Sequence, residues 1–152
     1  MNALELKIPP VIVAGLAVGA AWLIRDLLPN LTLLRPNYFA IIPLLVFGAG
    51  FAVIGLYQFA RARTTVDPHR PEKTNTLVTE GIYSVLRNPM YLGIFFFLAA
   101  IVVYLGNLAG VIVLPAFVAY MNRFQILPEE RTLAEKFGEE YMLYVDRTRR
   151  WL

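Results

Sequence analysis

The chain has 152 residues, 58% of them hydrophobic and 16% charged, with a net charge of +3 and a mean hydropathy of +0.57. That apolar share exceeds what an ordinary water-soluble domain carries, and the charges are clustered, which leaves long uncharged runs suited to a bilayer. Cysteine is absent, which excludes disulfides, zinc thiolate sites and a cysteine nucleophile; the length suits a single unit, residues 1–152.

After a short polar start ending at Lys7, an apolar run predicts a first span over about 8–28, with Pro9 and Pro10 at a helix start where a missing N–H does no harm. A cleaved signal peptide is the competing reading, but its basic lead-in would be a lone lysine, and no clear cleavage site follows. Arg25 and Asp26 close the span. A Pro-Asn loop leads to a second span over 37–60, whose Gly48, Ala49, Ala52 and Gly55 form a small-residue face that lets another helix come close. Pro43 can kink this helix where a neighbour satisfies the freed carbonyl.

Residues 61–88 read as a loop; its first part, Arg61 to Asn75, is polar, proline-containing and without a regular pattern. From Asn88 to Asn122 there is no charge, and Gly106-Asn107 is a turn signal, so two antiparallel spans are predicted over 89–105 and 108–127. The tail, 128–152, is amphipathic: Leu133, Phe137, Tyr141 and Tyr144 share one helical face, and Gly138 divides it into two pieces. The expected architecture is therefore all-α, an integral membrane bundle of four transmembrane helices. Spans three and four form a hairpin, and the helical tail lies on the cytosolic side. Twelve of the 14 lysines and arginines fall on the side of the N-terminus, the 61–88 loop and the tail; Arg25 and Arg35 alone fall on the other. The positive-inside bias puts both termini and both polar regions in the cytoplasm, and a prokaryotic inner or cell membrane is the expected location.

Asn88-Pro89 reads as an N-cap followed by proline at the first helical position, with free N–H groups that could seat an anion. Tyr83, Arg87 and Tyr91 gather around that start. A hairpin brings Asn122 and Arg123 to the same depth, followed by Pro128-Glu129-Glu130. Taken singly, each residue has a plainer reading. The tyrosines suit a membrane interface, Arg87 a snorkelling side chain, and the glutamates the positive end of a helix dipole. His69 reads as a solvated loop residue. The spans hold no mid-membrane acid or base, which counts against an ion-coupled transporter.

Two stretches carry a resemblance. LVTEGIYSVLRNPMYLG, Leu77 to Gly93, resembles the signature of the isoprenylcysteine carboxyl methyltransferase and phospholipid methyltransferase superfamily, integral membrane enzymes that use S-adenosylmethionine. PEERTLAEKFGEEYMLYVDRTRRWL, from Pro128, resembles their second block; together the match covers about Asp67 to Leu152. The resemblance implies transfer of a methyl group to a lipophilic or small acceptor (a carboxylate, thiol or amine) with no metal and no nucleic acid involved. It places cofactor contacts on Asn75, Thr76, Leu77, Val78, Tyr83, Asn88, Pro89, Met90 and Tyr91, with Glu129 holding the cofactor's amino group. Arg87 and Arg123 are expected to anchor anionic groups, and Glu130 or a tyrosine to serve as base for an amine acceptor. Two positions depart from the family's eukaryotic members, which have histidine where Asn88 stands and an acceptor-binding arginine where Gln125 stands. Two other readings stay open: an NADPH-dependent enzyme like the membrane sterol reductases, and a non-enzymatic membrane scaffold.

Overall fold

Each long helix begins where the sequence prepares it. In the computed structural model, which describes residues 5–62 and 76–152, α1 (Pro10–Leu27) has proline in its first turn. In α2 (Tyr38–Arg61) the Asn37 side chain caps the start by accepting from the Phe39 N–H at 3.1 Å. Helix α3 (Pro89–Leu105) opens on Pro89 and stops at Gly106, whose φ of +64° is the left-handed conformation that glycine adopts without strain. Beyond the turn, a 3₁₀ turn (Ala109–Ile112), α4 (Val113–Tyr120), a π-turn (Met121–Ile126) and α5 (Leu127–Phe137) follow without a break. They form one helical rod of 29 residues. Gly138, with φ +53°, separates α5 from α6 (Glu139–Arg147).

The rod differs from the expected layout, in which the membrane hairpin ended near residue 127 and Pro128 opened a separate tail. Proline removes a ladder hydrogen bond and crowds the carbonyl four residues before it. The π-turn immediately upstream loosens the ladder there, so the helix passes through Pro128 instead of ending. The polar loop from Arg63 to Asn75, including His69, lies outside the described residues.

Helices α1, α2 and the rod are long and apolar enough to cross a membrane, whereas α3 has 17 residues and a length of roughly 26 Å. Their outer faces carry large exposed apolar side chains, among them Leu16, Phe39, Val46 and Val53. Water would penalise so continuous a greasy surface, and acyl chains would not. The chain is an all-helical integral membrane protein.

The tightest pairing is α2 against α3. A Cβ added at Gly93 would stand 2.8 Å from the Gly48 carbonyl oxygen, and one at Gly48 would stand 3.1 Å from that of Gly93. The small-residue face of α2 is thus used against α3, with backbones in near contact. Leu98, Val102 and Leu105 of α3 pack with Val113 and Phe117 of α4 and with Val13 and Ala21 of α1. At one end of the bundle, buried Asn107 donates to the Leu28 carbonyl at 2.8 Å and to Thr32 Oγ1 at 3.0 Å, tying the α3–α4 turn to the α1–α2 loop.

Candidate functional site

At the opposite end, the head of α3 meets the π-turn, α5 and the returning C-terminal segment. The chain before α3 makes a 3₁₀ turn (Gly81–Ser84) that buries Tyr83. The residues after α6 then run beside it: the Arg87 N–H donates to the Arg149 carbonyl at 2.8 Å, and the Arg149 N–H to the Val85 carbonyl at 2.9 Å. Tyr144 donates its hydroxyl to the Tyr83 carbonyl at 2.8 Å, and Trp151 its indole N–H to Asn122 Oδ1 at 2.9 Å. Segments 29 to 61 or more residues apart in sequence are thereby stitched into one floor.

Three carboxylates stand here in two kinds of setting. Glu130 is gripped by two guanidiniums: Arg87 Nε donates to Oε1 at 3.2 Å, Arg150 Nε to Oε1 at 3.1 Å and Arg150 Nη2 to Oε2 at 2.6 Å. Arg87 also donates through Nη1 to the carbonyls of Thr148 at 2.6 Å and Val145 at 3.0 Å. Glu5 is buried between Arg123 and Arg131, each at 2.9 Å. The hydrogen bond from Arg123, reinforced by Arg131, holds its carboxyl below the ordinary range despite burial. Glu129 is different. Oε1 accepts from Tyr91 Oη at 2.5 Å and from Gln125 Nε2 at 2.7 Å, and both donors are neutral.

The structure therefore brings the two sequence blocks together, Tyr91 to Glu129 and Arg87 to Glu130. Pro89 and Tyr91 are buried, while Asn88 and Met90 are partly so. Asn88 occupies the N-cap position of α3 but caps nothing there; its Nδ2 donates instead to the Arg150 carbonyl at 3.1 Å. The Tyr83 hydroxyl is buried and has no hydrogen-bond partner among the described residues. Leu77 and Val78 are half-buried, Thr76 is exposed, and Asn75 lies outside the described residues. Arg123 does not join the Glu129 group but turns to Glu5, half-exposed, with its guanidinium 5.4 Å from the Phe124 ring centre. Burial pushes the phenols of Tyr83, Tyr141 and Tyr144 above their ordinary range, so all three remain protonated donors.

Sequence reasoning missed Arg150, Thr148 and Glu5. Gln125 was noticed only as a departure, although its place four residues before Glu129 puts the two on one helical face.

Residues 37–140 match the phospholipid methyltransferase family, a stretch that holds the first motif block whole and reaches into the second. The chain belongs to that family. Among curated relatives, the protein-S-isoprenylcysteine O-methyltransferase of Rattus norvegicus is 30% identical over 104 residues, covering 68% of this chain and 37% of the relative. The B form of Arabidopsis thaliana is 30% identical over 107 residues, 68% of this chain and 53% of the relative. The Schizosaccharomyces pombe enzyme is 28% identical over 102 residues, 62% and 43%. This family member thus spans about half the length, or less, of the named methyltransferases that it matches. An uncharacterized protein of Haemophilus influenzae is 41% identical over 63 residues and is covered whole. No solved structure matches.

Proposed function

We propose that the chain is a methyltransferase that uses S-adenosylmethionine, with four transmembrane helices (α1, α2, α3 and the rod), its site facing the cytoplasm and a lipophilic acceptor arriving from the bilayer. The single observation that carries this reading is the pairing of the carboxylates. Glu5 and Glu130 each have two arginines, while Glu129, among the described residues, holds only neutral donors. A partly buried carboxylate fixed in place without a counter-charge suits a ligand cation, and the cofactor's ammonium is one. The Tyr83 hydroxyl, without a partner among the described residues, offers a further polar contact, and the tyrosine faces suit a sulfonium.

When bound, S-adenosylmethionine supplies an electrophilic methyl group that passes to the acceptor in one in-line displacement. The protein's part is to hold donor and acceptor in line and keep water out. Glu129 receives the ammonium, with Tyr91 and Gln125 fixing its orientation. By the family resemblance, further cofactor contacts are assigned to Asn75, Thr76, Leu77 and Val78 in the loop and to Asn88, Pro89 and Met90 at the head of α3. Arg87 has Nε and Nη1 committed, and Nη2, which makes no hydrogen bond among the described residues, is assigned to the cofactor carboxylate. Glu130, bound by two guanidiniums, is assigned to holding Arg87 and the tail rather than to removing a proton. Arg123 is assigned away from the acceptor because of its pairing with Glu5.

Calorimetry in detergent tests the reading: heat is expected with S-adenosylhomocysteine and none with NADPH. A protein that binds NADPH, or neither ligand, would sink it. Transfer of labelled methyl into a membrane extract, followed by identification of the labelled product, names the acceptor.

A further inference from the structure

The segment before α1 touches the rod at the place where its ladder is broken. Pro128 has no N–H, so the Phe124 carbonyl, four residues earlier, loses its ordinary helical donor. That carbonyl accepts instead from the Leu6 N–H at 3.0 Å. Leu6 adopts φ +57° to do so, a conformation uncommon outside glycine. Beside it, buried Glu5 reaches Arg123 on one side of the proline and Arg131 on the other, each at 2.9 Å. Gln125 and Glu129, the pair that faces Tyr91, lie between those two arginines on the same turns.

We infer that Glu5, with the Leu6 backbone, is a positioning residue for Glu129: together they hold the π-turn (Met121–Ile126) in place and so set the register of the carboxylate. The geometry gives this leverage. Converting a π-turn to α-helix shifts every later side chain by one residue, roughly 100° about the axis. Such a shift would turn Glu129 away from Tyr91. The pairing of Arg123 and Arg131 with Glu5 also keeps two cations occupied that would otherwise compete for the site's carboxylates. The inference rests on the reading of Glu129 as the ammonium's partner, and its test separates the two.

In full-length protein in detergent, Glu5→Gln is expected to speed backbone amide exchange across residues 121–130. It should also weaken S-adenosylhomocysteine binding about tenfold, with Glu5→Asp restoring most of both. Pro128→Ala returns an N–H to the Phe124 carbonyl, so Glu5→Gln should cost clearly less affinity in that background than in the native chain. Unchanged exchange in Glu5→Gln overturns the inference, and so does faster exchange with unaltered affinity. Should Glu5→Gln fail to fold, Arg131→Gln leaves Glu5 its bond to Arg123 and gives a milder form of both readouts, with unchanged exchange again overturning it. A native protein that does not bind S-adenosylhomocysteine would remove the cofactor reading, while the exchange comparison would still decide whether Glu5 holds the π-turn.

Discussion

The two ends of the bundle are closed by different chemistry. At the α3–α4 turn the seal is neutral: Asn107 bonds to Leu28 and Thr32, the Leu108 N–H donates to the Leu31 carbonyl at 3.0 Å, and the Leu34 N–H donates to that of Gly106 at 3.2 Å. At the other end the seal is ionic, with Glu5 and Glu130 each balanced by two arginines. At that same end Glu129, among the described residues, accepts from neutral donors only. A neutral seal needs only its own groups to be complete. An ionic seal with one carboxylate left without a guanidinium among the described residues can take a further cation, and on the proposed reading that contrast separates a structural end from a binding end.

The contrast is broken most directly at Glu129. Glu129→Ala should lower S-adenosylhomocysteine affinity about a hundredfold, as expected when one side of a desolvated charged contact is removed; calorimetry reads it, and an unchanged affinity would sink the assignment. Arg87→Ala leaves Glu130 with Arg150 alone and unties Thr148, at a stability cost of about 3 kcal/mol, visible as a lower Tm. Asn107→Leu at the neutral end strips the donors from the Leu28 carbonyl and Thr32 and should cost about 2 kcal/mol, with ligand affinity unmoved in the folded fraction. Loss of ligand binding there would blur the distinction between the ends. Tyr144→Phe removes one bond to the Tyr83 carbonyl, worth about 1 kcal/mol.

The smallest effect is the pH dependence from Glu5. Its folded carboxyl titrates below the ordinary range, so its contribution is complete above the unfolded value and lost as pH falls through the lowered folded one. Denaturation followed across the acid range should show a shallower decline in Glu5→Gln than in the native chain.

Local signals in the sequence carried the frame. Asn88-Pro89 and Gly106 mark the ends of α3, and the Gly48 face marks where on α2 a helix comes close, though not that the helix is α3, because caps, turns and small-residue faces act over a few positions. The course of the chain at Pro128 was not legible. Nothing near it announces a π-turn, and the donor that replaces its missing contribution comes from Leu6, on the far side of three helices. The Glu5–Arg123 bond, 118 positions apart, and the pairing of Arg149 with Val85 escaped for the same reason. Asn88 shows the opposite limit, in that a residue with a strong local preference was drawn to a distant carbonyl instead. The union of the Leu77–Gly93 and Pro128 blocks was readable only through family likeness, not through periodicity.

The length of the rod has one more consequence. Glu129 stands 20 residues beyond Ala109, about 30 Å along a helix axis, which is the thickness of the hydrocarbon layer itself. If Ala109 marks one boundary, the carboxylate sits at the other. A thicker membrane would draw it toward oil and a thinner one would lift it into water, so lipid chain length becomes a tuning variable for the proposed cofactor contact.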